Sequence, residues 1–84
     1  MRLGEVLRNL SRIPEVHFKL GRYYLIAENE GRRIRCFIYD SIAYRHGGEP
    51  VEEALKKPRE FREYLDELKR RYGVKRVRVI RWWT

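Results

Sequence analysis

Between Arg33 and Asp40 the chain alternates with a period of two. Ile34, Cys36 and Ile38 fall on one side, and Arg33, Arg35, Phe37 and Tyr39 on the other. That period fits an extended strand, in which successive side chains leave opposite faces of a sheet. Residues 73–84 repeat the theme behind Gly73, with β-branched residues alternating with arginine. There Val77, Val79 and Trp83 share one face, with Arg81 as the exception at its edge, and Arg76, Arg78, Ile80 and Trp82 share the other. Each strand offers an apolar face to a core and a second face on which cations sit beside aromatic rings. A sheet covered on one side and open on the other follows from two such strands.

Helices are marked by a different period. Leu3, Val6, Leu7 and Leu10 recur at i, i+3, i+4 and i+7 and predict an amphipathic helix over 2–12, ended by Pro14. Phe61, Tyr64, Leu65, Leu68 and Tyr72 form the stripe of a main helix over 58–72, closed by Gly73. Pro50, with Glu49, Glu52 and Glu53 around it, predicts a short helix over 50–57 that breaks at Pro58. Glu52–Lys56, Glu53–Lys57, Asp66–Arg70 and Glu67–Arg71 are spaced as favourable i, i+4 pairs on these helices.

In the strand-like stretch 15–28, Val16, Phe18 and Leu20 alternate with His17 and Lys19 before Gly21. Gly21-Arg22 fits a two-residue hairpin turn; the alternative is one long strand bulged at Gly21. The long strand is preferred, because a first strand of residues 16–20 alone is short. Asn29-Glu30-Gly31-Arg32 reads as a turn, and residues 41–49 as a loop ending in Gly47-Gly48.

The order α-β-β-(short α)-α-β predicts an α+β domain: an antiparallel sheet of three to four strands with two main helices on one face. Leu3, Leu7 and Leu10 then meet Phe61, Tyr64 and Leu68 over Ile34, Ile38, Val77 and Val79. In element order this resembles a ferredoxin-like split fold without its first strand. With no repeat or linker in 84 residues, a single domain over 1–84 is expected, close to the lower size at which one core suffices.

Composition narrows the partner. A chain that is 43% hydrophobic is too apolar to be disordered, and no apolar run approaches the ~20 residues that span a bilayer. A soluble cytoplasmic protein with no membrane partner is the expectation. The net charge is +8, half of it in residues 73–84, which hold four cations and no acid. A pI near 10.1 favours a polyanion. Arginine outnumbers lysine fifteen to five, which suits bidentate phosphate contacts and base stacking. The same bias, the absence of Gln and the charge-paired helices also fit a heat-adapted protein.

Nucleic acid, as single-stranded DNA or RNA, is therefore the expected partner, held on the open sheet face. Arg33, Arg35, Arg76 and Arg78 would contact phosphate, while Phe37, Tyr39 and Trp82 would stack on bases. His17, Lys19 and Tyr23 are candidates to lie nearby. RNA-recognition modules use such a surface, but their glycine–aromatic signature is missing. The contrasting expectation is a protein–protein module that forms a homodimer through this face or the last strand. No catalytic role, cofactor or metal is expected. Cys36, His17 and His46 match no zinc spacing, and Gly47-Gly48 lacks the Lys-Ser/Thr ending of a phosphate loop. The element order also resembles a family of metal-dependent nucleases, with Glu5 and Glu28 as carboxylates, but residues 33–40 lack the lysine that such a site needs. Asp40 and His46 are a weaker acid–base candidate.

Overall fold

The computed structural model describes residues 2–83; Thr84, the end of the last predicted strand, lies outside the described residues. Helix α1 (Leu3–Arg8) runs on into a 3₁₀ turn at Leu10–Arg12. Strands β1 (Glu15–Leu20), β2 (Tyr23–Glu30) and β3 (Arg33–Asp40) follow. After a short helix, α2 (Ser41–Arg45), come β4 (Glu52–Lys56), a 3₁₀ turn at Pro58–Glu60, α3 (Phe61–Tyr72) and β5 (Arg78–Trp83). The sheet order is β4-β3-β2-β1-β5, and every neighbouring pair is antiparallel.

The α+β class stands, with five strands in place of three to four and a third, short helix. The first four strands form a meander, and α3 carries the chain from the β4 edge to the β5 edge, so the order is not that of a split ferredoxin-like sheet. The added strand is 52–56, where charge spacing predicts a helix. Each i, i+4 pair is worth only ~0.2–0.5 kcal/mol, less than a ladder of backbone hydrogen bonds at about 0.5–1.5 kcal/mol each. The ladder to β3 wins, pairing Ile34 with Lys56 and Ile38 with Glu52. Glu52 is engaged from α3 instead: Arg71 Nη1 donates to its carboxylate at 2.6 Å and the Tyr72 hydroxyl at 2.8 Å.

The long bulged strand is also replaced. β1 and β2 are separate, joined by a two-residue turn at Gly21-Arg22, with Leu20 opposite Tyr23. Gly21 has φ +58°, and a Cβ there would stand 2.6 Å from Val74 Cγ1, so backbone and packing both require glycine. Because the turn takes two residues, Tyr23 shares the face of Leu20, and Tyr24 takes the opposite one.

The core lies between the sheet and α1 and α3, as the apolar stripes predict. Val6, Leu10, Phe61, Tyr64, Leu65 and Leu68 are buried against Val16, Phe18, Leu20, Leu25, Ile34 and Ile38. Phe18 and Phe61 meet with ring centroids 5.6 Å apart, and burying each stabilises the fold by ~1.5–3 kcal/mol. Val77 and Val79 pack only at its border. Cys36 is fully buried, and burial pushes its thiol up to about 12, which leaves it a small core hydrophobe. Gly73 ends α3 with φ +65°, and Val74 N–H donates to the Lys69 carbonyl at 2.9 Å, as in a Schellman cap.

Candidate nucleic-acid interface

The sheet face away from α1 and α3 is organised in rows by strand register. One end row runs Arg78, Lys19, Tyr24, Tyr39; the middle row runs Arg81, His17, Ile26, Phe37, Glu53; the other end row runs Trp83, Glu15, Glu28, Arg35, Leu55. The first row thus carries cations without acids, whereas the middle and far rows mix both signs.

β5 reaches these rows through a bulge. Phe18 pairs with Val79 and His17 with Arg81, leaving Ile80 as the extra residue. From there on, strand parity is inverted. Trp82 opposes Val16 on the helix side, and Trp83 opposes Glu15 on the open side. This corrects the predicted faces of the two tryptophans. The physical reason is visible in the misfit of Arg81: without the bulge its charge would face the core. With it, the guanidinium lies 5.4 Å over the Trp83 ring.

The end row near Tyr24 is capped by α2. Asp40 starts that helix by accepting hydrogen bonds from the N–H groups of Ile42 and Ala43, at 2.9 and 3.3 Å. It also pairs with Arg22 at 2.7 Å. Desolvation pushes the Asp40 carboxyl upward, but these backbone donors and Arg22 together hold it below the usual range. Asp40 is thus a cap, while His46 sits at the far end of α2. Gly48 closes the turn, its N–H donating to the Ala43 carbonyl at 2.8 Å. A Cβ on Gly48 would come within 2.9 Å of that oxygen.

α2 folds Tyr44 back over the sheet. Its ring stacks on Tyr24 with centroids 5.0 Å apart and planes 13° from parallel, and meets Tyr39 edge-on at 4.8 Å. Tyr44 is still 38% exposed. Between α2 and β5 a groove of about 360 Å³ is lined by Lys19, Tyr24, Tyr44, Arg45, Arg78 and Ile80, with Ser41 at its wall. A second hollow of about 260 Å³ adds Gly21 and Arg76 beside Lys19 and Arg78. No carboxylate lines either, and Lys19, Arg45, Arg76 and Arg78 form no ion pair among the described residues.

At the far end the face is different. Arg35 donates from Nε to both Glu30 carboxylate oxygens at 3.1 Å, so its charge is already used. Glu15 is held by His17, which is buried. The neutral ring satisfies both neighbours when Nε2–H donates to Glu15 at 2.9 Å and Nδ1 accepts from the Tyr24 hydroxyl at 2.7 Å. Burial, and then the neighbouring Tyr44, push the Tyr24 phenol above its ordinary value.

Of the predicted contacts, the fold gathers Arg76 and Arg78 at the basic end, with Tyr39 beneath Tyr44. Phe37 is half-buried in the middle row. Arg33 points away to a separate hollow with Arg32, Lys57 and Arg59. Tyr23 lies on the helix side, 4.3 Å from Tyr72 between ring centroids. Arg45, Tyr24 and Tyr44 are additions that the sequence reading misses. Parity from the Gly21-Arg22 turn would have found Tyr24, whereas nothing local in residues 41–49 announces that Tyr44 turns inward.

No group of three or more His, Cys, Asp or Glu placed to hold a metal occurs among the described residues, and no described helix is long and apolar enough to cross a membrane. Compared with protein-family profiles, curated proteins and solved structures, the chain gives no significant match.

Proposed function

We propose that the protein binds single-stranded nucleic acid, DNA or RNA, in the groove between α2 and β5, as a binding module to which no reaction is assigned. The observation that carries this reading is a groove and an adjoining hollow that together present four cations without ion pairs, two stacked tyrosines and no carboxylate. Lys19, Arg45, Arg76 and Arg78 would hold consecutive phosphates, and the exposed Tyr44 ring would receive a base. Stacking on such a ring is worth about 1–3 kcal/mol per base. Arg33, Arg35, Phe37 and Trp82 drop out of the proposed contact set; Trp83 takes the open face in place of Trp82 but lies in the far row beside Glu15.

The direct test is a fluorescence titration of labelled single-stranded DNA, RNA and duplex across a salt series. Binding of single strands that weakens steeply with salt is the expected result; no binding of either single strand at low salt would refute the reading.

One observation favours a second reading. β5 is a sheet edge, and Ile80, Trp82 and Trp83 are all exposed on it. Such an edge is a template for strand pairing, so a homodimer through β5 is the alternative. Sedimentation would reveal it as a concentration-dependent doubling of mass.

A further inference from the structure

At the opposite end of β3 from the Tyr24 groove, the β2–β3 turn, the β4–α3 connection and the end of α1 come together. Two adjoining hollows, of about 550 and 320 Å³, share Pro58 and Arg59. Arg32, Arg33 and Lys57 line the first, and Arg8 and Arg62 the second, with Leu7 beside them. Six cations thus form one rim, five of them arginine. No carboxylate lines it, and none of the six is in an ion pair among the described residues.

The adjacent acids are turned elsewhere. Glu60 accepts from the Lys57 backbone N–H at 3.0 Å and, with Glu63, Asp66 and Glu67, lines a hollow on the other flank of α3. Glu30 is occupied by Arg35. So α3 and its 3₁₀ entry leave Arg59 and Arg62 on a side without acids, whereas the other flank mixes Glu60, Glu63, Asp66 and Glu67 with Lys56 and Arg70. That separation keeps like charges together at a cost in self-repulsion, which a bound polyanion would relieve.

We propose that this rim is a second nucleic-acid contact and takes the sugar–phosphate backbone of a duplex. Its chemistry differs from that of the Tyr24 groove in one decisive respect: no aromatic side chain lines it. Single-strand sites combine cations with stacking platforms, whereas duplex backbone can be held through phosphate contacts, dominated by cations, that need no aromatic platform and read no bases. Arginine forks match phosphate oxygens bidentately. An anionic membrane fits less well, since Leu7 and Pro58 are the only apolar residues among those lining the two hollows. The two sites are about 20 Å apart, taking the six residue steps from Arg33 to Tyr39 at ~3.3 Å each. Together they suit a junction between single- and double-stranded segments; that pairing rests on the groove reading, while the rim itself does not.

The test is anisotropy titration of the full chain with a blunt duplex and, separately, a single-stranded oligonucleotide of the same sequence. Wild type is compared with Arg59→Glu/Arg62→Glu, the neutral Arg59→Gln/Arg62→Gln and the groove variant Lys19→Glu/Arg78→Glu. Arg59 and Arg62 are exposed, and thermal melts check that each variant folds. The expected result is at least about a tenfold loss of duplex affinity in the reversed rim variant, with a shallower salt slope and a smaller loss in the neutral one. Single-strand affinity should stay within about twofold, on the basis that distant sites act independently. Rim-dependent duplex binding without any single-strand binding would uphold the rim and refute the groove. Duplex affinity unchanged in the rim variants, or lost only in the groove variant, would overturn the proposal. So would rim-dependent binding to phosphatidylserine vesicles in the absence of duplex binding.

Discussion

The two ends of the open sheet face are built from the same strands yet carry opposite chemistry. At one end Lys19 and Arg78 lie across from each other, and Tyr44 covers Tyr24 and Tyr39. At the other end Glu15 and Glu28 are cross-strand neighbours and Arg35 is bound to Glu30. Alternation sorts residues between the faces of a sheet, but it does not say which row they occupy. Rows are fixed by register, and register is where charge is gathered or cancelled. On the open face itself, the cations of one end have no acidic partner among the described residues, whereas Arg35 at the other end is already paired with Glu30.

The largest predicted effect separates the two ends directly. Lys19→Glu with Arg78→Glu should lower single-strand affinity about a hundredfold, roughly tenfold for each phosphate left without its cation, as measured by anisotropy titration. Tyr44→Ala should cost about 1–3 kcal/mol of binding with little change in salt slope, which separates stacking from charge. Gly21→Ala should lower stability by about 1–3 kcal/mol in chemical denaturation, because alanine is strained at positive φ and its Cβ would crowd Val74.

A smaller effect concerns the β4 edge. Burial pushes the Glu52 carboxyl up, but hydrogen bonds from Arg71 and Tyr72 bring it below the ordinary value on balance. A carboxyl lowered in the folded state contributes stability above its unfolded pKa, and that contribution is lost as pH falls through the folded value. Wild type should therefore lose stability on acidification to a greater extent than Glu52→Gln, by under about 1 kcal/mol for so accessible a pair. Thermal melts across acidic pH would check this. Smallest of all, Glu28→Gln should raise single-strand affinity by about twofold, through long-range charge alone. A much larger gain would mean that the strand runs over the carboxylate end.

Strictly periodic segments are legible in the sequence. β3 has the bounds and faces that alternation predicts, and the stripe of α3 packs where its spacing places it. The α+β class follows from such elements, while the Arg/aromatic second face is read from β3 and the last strand together. Expectation and structure part at points where one residue inverts parity. The two-residue turn at Gly21-Arg22 moves Tyr24, in place of Tyr23, to the open face, and the bulge at Ile80 exchanges the roles of Trp82 and Trp83. Residues 52–56 carry helix-like charge spacing, but pairing with β3 decides their conformation. Tyr44 is hidden for another reason: its place depends on Asp40 capping α2 and on Gly48 fitting against Ala43.

The most direct measurement is a map of backbone amide NMR shifts as a single-stranded oligonucleotide is added. A strand held in the α2–β5 groove should give the largest changes at Lys19, Tyr24, Tyr44, Arg45 and Arg78, with Glu15, Glu28 and Trp83 little affected. Changes centred on Glu15, Glu28 and Trp83, or none at saturating oligonucleotide in low salt, would contradict it.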